Sequence, residues 1–137
     1  QRLQYQKRLS GPIRDRCDLF LHVERTDLSS GLDQGKTSAE AREQCIQARK
    51  RQTERFRECA FHWNSEIPHR FLIQHLSMTD AARSTAQTAT RRLHLSPRSY
   101  LKLLRTAQTI ADLECAETLT EDHVLEALQF RIMNLMG

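Results

Sequence analysis

Apolar and polar residues alternate along the second half of the chain with a helical rhythm. Between Leu95 and Leu113 the apolar positions are Tyr100, Leu103, Leu104, Ala107, Ile110 and Ala111. That three-and-four spacing belongs to a helix that buries one face. Ser96 and Pro97 open it as a capping hydroxyl followed by the residue that tolerates the first helical position. Arg98, Lys102 and Arg105 fall on another face. Lys102 and Arg105 read as solvated, but Arg98 sits in the first turn, where the helix dipole disfavours a cation. A cation there invites an anion.

The same rhythm marks other helices. Thr37-x-x-Glu40 is a capping box and opens a helix to about residue 59, with a thin apolar stripe of Ala41, Cys45, Ala48 and Phe56. Arg42, Arg49, Lys50, Arg51, Arg55 and Arg57 make this helix basic; as a nucleic-acid path it competes with a plain solvated face. Trp63, Asn64 and Pro68 mark a break. A short helix over 67–76 carries Phe71, Leu72 and Leu76. Thr79 restarts a helix with Ala82, Ala86, Ala89 and Leu93. Thr120 caps a last one with Val124, Leu125, Leu128, Ile132 and Leu135. Short connections make successive helices packing neighbours.

The first 35 residues read differently. Residues 2–9 suit the end of a helix, and Ser10-Gly11-Pro12 breaks it. Cys17–Glu24 has strand length and partial alternation. One strand cannot stand alone, so its apolar residues Phe20, Leu21 and Val23 would be left exposed without a neighbouring sheet. Residues 25–36 have loop composition. The expected fold is mainly α: a bundle of four to five helices preceded by one strand and loop left over from an α/β core. The opening Gln and the orphan strand suggest a piece of a longer protein.

Composition narrows function. Hydrophobic residues make up 39% and charged residues 28% of 137, with a formal charge of +4. No run reaches membrane-spanning length and no basic-then-apolar leader opens the chain, so no membrane partner is expected. Cys17, Cys45, Cys59 and Cys115 have no paired spacing, and the six histidines are scattered singly; reduced thiols in a cytoplasmic protein are the default, with no metal site. With four glycines there is no phosphate loop, and no catalytic Ser, Cys or carboxylate frame. These residues alone do not make a complete enzyme.

Two patterns together carry more. Ser10-Gly-Pro-Ile-Arg-Asp-Arg-Cys-Asp-Leu-Phe20 runs into the expected strand. Leu95-Ser-Pro-Arg98 leads through Thr109-Ile-Ala-Asp-Leu113 to Leu119-Thr-Glu-Asp-His-Val-Leu-Glu-Ala-Leu-Gln-Phe-Arg131. In this order, from about Tyr5 to Arg131, they resemble the C-terminal part of the magnesium-chelatase-like AAA+ ATPases. The resemblance implies that residues 1–35 end the core domain and residues 36–137 form the helical lid. It places the arginine finger on Arg16, with Arg14 as the alternative, reaching the γ-phosphate in the neighbouring subunit of a homo-hexameric ring. It places the sensor-two arginine, a ligand of ATP phosphate, on Arg98. Without it, Arg16 reads as a surface arginine or one paired with Asp18.

ATP and Mg2+ are the cofactors implied for the parent, with none expected on these residues alone. Within the family the T-I-A-D-L form points to the branch that migrates DNA branches in natural transformation, so DNA is a possible partner. The motor subunit for magnesium insertion into protoporphyrin is the alternative, and a non-catalytic nucleic-acid- or protein-binding module comes last. The chain departs from the family pattern at Gln108, where an arginine is usual, and at Asn64-Ser65, where Asn-Ala is usual; both bear on lid packing.

Overall fold

Hydroxyl side chains set most of the helix starts. In the computed structural model, which describes residues 16–21, 23 and 35–132, α1 spans Ser38–Arg55, α2 His69–His75, α3 Asp80–Arg92, α4 Pro97–Leu113 and α5 Glu121–Ile132, with a 3-10 turn at Asn64–Glu66. Thr37 and Glu40 form the expected capping box. Thr79 Oγ1 accepts from Ala82 N at 3.1 Å, and Ser96 Oγ from Ser99 N at 3.1 Å. At α5 the bond runs the other way: Thr120 N–H donates to His123 Nδ1 at 2.9 Å. With Nδ1 accepting, Nε2 carries the proton toward Glu114 Oε2, 3.0 Å away.

Two helices stop by the same device. His94 and Cys115 hold φ of 48° and 58°. The next amides close back over them, Leu95 N to Thr90 O at 3.0 Å and Ala116 N to Ala111 O at 2.9 Å. This is the six-to-one closure of a Schellman cap, built here without glycine.

α4 is the central element, packed against α1, α3 and α5. Leu103, Leu104, Ala107 and Ala111 are fully buried on it, and each leucine contributes about 1.5–3 kcal/mol by leaving water. Phe56, Ile67, Leu72, Ala82, Ala86, Leu119, Val124 and Ala127 complete the centre of the core. A parallel bridge joins Met78 and Leu119: Leu119 N donates to Ser77 O at 2.7 Å and Thr79 N to Leu119 O at 3.1 Å.

The bundle of five helices is the expected architecture, with differences of detail. Ala41 and Cys45 are exposed, because α1 meets the bundle only through its second half, where Ala48 and Gln52 are buried. α1 also ends at Arg55 rather than near 59: the chain turns so that Phe56 enters the core, its ring 5.1 Å from that of Phe61. Leu125 is exposed, and the inward face of α5 is His123, Val124, Ala127, Leu128 and Arg131.

The strand expected from Cys17 is not formed among the described residues, which contain no strand. Its backbone finds a helix end instead of a sheet: Phe20 N donates to Phe130 O at 2.9 Å. Phe20 is half-buried there, while Leu21 and Val23 are exposed as expected. The helix end at 2–9, the Ser10-Gly11-Pro12 break, Arg14, most of the 25–36 loop, the side chain of Ile132, and Leu135 lie outside the described residues.

Candidate functional site

The first turns of α4 carry one stripe of polar residues, spaced to share a face: Arg98, Lys102, Arg105, Thr106 and Thr109. Across from it stand Arg16, Asp18 and Leu19, with Ser65 of the 3-10 turn at one side. Together they line a groove of about 430 Å3. The two arginines singled out from sequence therefore meet on one surface, although 82 positions separate 16 from 98. Both are exposed, and neither guanidinium has a hydrogen bond or ion pair among the described residues.

The other two cations of the groove are bound inward, and here the reading of Lys102 and Arg105 as a solvated face is corrected. Lys102 is 7% exposed. Its Nζ donates to Arg16 O at 2.6 Å and Cys17 O at 3.2 Å, and lies 3.0 Å from Asp18 Oδ1; its three donors are all used. Arg105 Nη2 donates to Ile67 O at 2.6 Å. Burial pulls the Arg105 pKa down and the Asp18 charge pulls it back up; a guanidinium stays protonated through such a shift. Both residues are bound by segments distant in the chain, Lys102 by residues 16–18 and Arg105 by Ile67. A helix with one apolar stripe gives no sequence signal for that.

Arg131 joins Lys102 from the adjacent helix. Its Nη1 donates to Cys17 O and Asp18 O, each at 3.2 Å, and its Nη2 to Ser99 Oγ at 2.9 Å. Asp18 thus pairs with Lys102, not with Arg16.

At the far end of α4, Asp112 is fully buried. Arg55 grips it with both Nη atoms, Asn64 Nδ2 donates at 2.8 Å and Gln108 Nε2 at 3.2 Å. The two departures from the family pattern fall on and beside this node. Gln108 is one of its donors, and Ser65 faces the groove. Arg51 ties α1 to the same region through Ala116 O at 2.7 Å. Arg51 and Arg55 are therefore packing residues, while Arg42, Arg49, Lys50 and Arg57 line an open basic groove of about 590 Å3 along α1. None of the four cysteines is in a disulfide. No described helix is long and apolar enough to cross a membrane.

Comparison with known proteins agrees with these features. The family described as magnesium chelatase, subunit ChlI C-terminal, matches residues 35–131. Competence protein ComM of Haemophilus influenzae is 34% identical over 97% of this chain and 26% of its own length. The protein YifB of Salmonella typhimurium is 33% identical over 98% of the chain and 26% of its length, and YifB of Escherichia coli is 30% identical over the same shares. The chain thus spans about a quarter of the length of these relatives. No solved structure matches it. With the profile covering most of the sequence and all five helices, the chain belongs to the magnesium chelatase family, in its ChlI C-terminal domain.

Proposed function

We propose that this chain is the lid, with the arginine-bearing end of the core, of a ring-forming AAA+ ATPase. The observation that supports the reading is the meeting of Arg16 and Arg98 on one groove, each with its guanidinium unclaimed among the described residues. Two such forks facing one space suit the oxygens of a polyphosphate. Arg16 acts as the finger: it reaches the γ-phosphate of a nucleotide held by the adjacent subunit and offsets charge that develops in the transition state. Arg98 binds phosphate oxygens from the start of α4, and the anion removes the conflict between that cation and the helix dipole. Residues 1–35 then end the core domain and residues 36–137 form the lid.

The guanidinium donors of Arg16 and Arg98, with the hydroxyls of Ser65 and Thr106 beside them, fit phosphate oxygens. ATP would supply the transferable phosphoryl group. Among the described residues no three His, Cys, Asp or Glu converge.

For the intact parent, the likeness to a competence protein supports ATP-driven branch migration of DNA in natural transformation, carried out by a homo-hexamer in the cytoplasm. The name of the matching family supports the alternative, a motor for magnesium insertion. The basic groove on α1 favours DNA as partner, since cations facing a phosphate backbone give binding that weakens steeply with salt; salt-independent binding would remove that partner.

In the intact protein Arg16→Ala should lower ATP turnover roughly a thousandfold while nucleotide binding persists. Mixing that variant with one defective in the phosphate loop should restore part of the activity, because some interfaces regain both halves. Wild-type turnover, or mixed rings without recovery, would overturn the assignment.

A further inference from the structure

Lys102 and Arg131 are the two most buried cations near the groove, at 7% and 3% exposure. Burying a charge is costly unless it is matched by hydrogen bonds. Among the described residues, both reach main-chain oxygens of the same three consecutive residues. Lys102 takes Arg16 O and Cys17 O, and Arg131 takes Cys17 O and Asp18 O. Asp18 Oδ1 closes the Lys102 side, and Arg131 is braced on Ser99 Oγ at 2.9 Å. Just beyond, Phe20 N joins Phe130 O at 2.9 Å. The segment that carries Arg16 is therefore held by one cation from α4 and one from α5, mainly through backbone atoms, with Asp18 the one side chain of the segment that takes part among the described residues.

We infer that Lys102 and Arg131 are positioning residues: they lock the backbone of the Arg16 turn onto α4 and α5, so that Arg16 and Arg98 present to an anion as one preset pair. The inference rests on the reading of Arg16 and Arg98 as phosphate ligands. Backbone attachment fixes where the Arg16 side chain starts and leaves its guanidinium unspent. Because Arg98 and Lys102 lie one turn apart on α4, any movement of that helix carries both arginines together. A phosphate held between them thereby reports the lid position to the end of the core. Two long side chains reaching a common ligand independently would lose that coupling, and with it part of the benefit of preorganisation.

Two measurements decide it. In this chain, amide exchange of Phe20 followed by NMR reads the attachment directly. Lys102→Met keeps the length and removes the donors, and it should speed Phe20 exchange at least about tenfold while Leu104 and Ala107 in the middle of α4 keep their protection. Should Lys102→Met fail to fold, Asp18→Asn removes only the exposed carboxylate and should speed the same amide to a smaller extent. In the intact protein, Lys102→Met should lower kcat for ATP about tenfold or more, since misplacement of a reacting group by an ångström costs on this scale. Combined with Arg16→Ala it should lower kcat no further than Arg16→Ala alone, and Lys102→Arg should recover part of the loss. An unchanged Phe20 amide, wild-type kcat in Lys102→Met, or a fully additive double variant would each overturn the inference. If the intact protein hydrolyses no ATP, the reading of Arg16 and Arg98 fails instead, and the Phe20 amide still shows whether the lock exists.

Discussion

The two ends of α4 carry charges of the wrong sign for a helix, and they resolve the problem differently. Cations belong at a C-terminus and anions at an N-terminus. α4 instead has Arg98 and Lys102 in its opening turns, no acid in its first turn, no base in its last, and Asp112 near its end. At the C-terminal end the conflict is settled within the bundle: Arg55, Asn64 and Gln108 all donate to Asp112. At the N-terminal end Lys102 is settled by the carbonyls of residues 16 and 17, and Arg98 is not settled at all among the described residues. A misplaced charge with its partners in hand is architecture. One left without them among the described residues, in a groove beside a second arginine equally unclaimed there, points outward to a ligand.

That contrast can be broken from its strongest side. Asp112→Ala leaves Arg55 uncompensated and strands the donors of Asn64 and Gln108, so unfolding free energy should drop by about 3–5 kcal/mol, read by urea denaturation. A loss below about 1 kcal/mol would mean that the node is ornamental. α1 supplies the control, a helix whose first turn obeys the dipole. There the backbone N–H of Thr37 donates to Glu40 Oε2 at 2.7 Å, and its hydroxyl donates to the same atom at 2.9 Å. Thr37→Ala should cost about 1 kcal/mol, visible in thermal melts.

The same cap has a pH signature. The Thr37 backbone amide first, then the hydroxyl, hold the Glu40 pKa below its ordinary value of 4.5. A carboxylate lowered in the folded state stabilises it above its unfolded pKa and ceases to do so as pH falls through the folded value. The contribution of Glu40 should therefore vanish below its ordinary range, and in Thr37→Ala its NMR titration should move up toward 4.5. The smallest effect on folding is expected at Arg98. Arg98→Ala should change stability by no more than about 0.5 kcal/mol, with the sign toward stabilisation, while nucleotide binding or turnover of the intact protein falls. Destabilisation above about 1 kcal/mol with wild-type turnover would move Arg98 from the outward class to the settled one.

How much of this was legible in the sequence depends on the scale of the signal. Helix starts were legible because they are local: Thr37, Thr79 and Ser96 act on amides three residues away. The apolar stripe of α4 was legible for the same reason, and so were Arg98 as an anomaly and, through the family resemblance, Arg16. The fate of Lys102, Arg105, Arg51 and Arg55 was not. Each is spaced like a solvated residue, and each is bound by an atom far along the chain, such as Asp112 for Arg55 or Ile67 O for Arg105. The strand expected from Cys17 is not formed among the described residues, on the same ground. Alternation can state that Leu19, Leu21 and Val23 share a face, but a strand exists only where another extended backbone pairs with it, and here Phe20 meets only the helix end at Phe130 among the described residues.

The bridge between Met78 and Leu119 bears on time rather than on architecture. It fastens the residues just before α3 to those just before α5, with α4 enclosed in the loop between them. Freeing either helix from its start means breaking main-chain bonds to a segment far away in the chain, so α3, α4 and α5 open to solvent as one cooperative unit. The outer turns of α1, exposed and bound to nothing in that unit, fray on a faster clock.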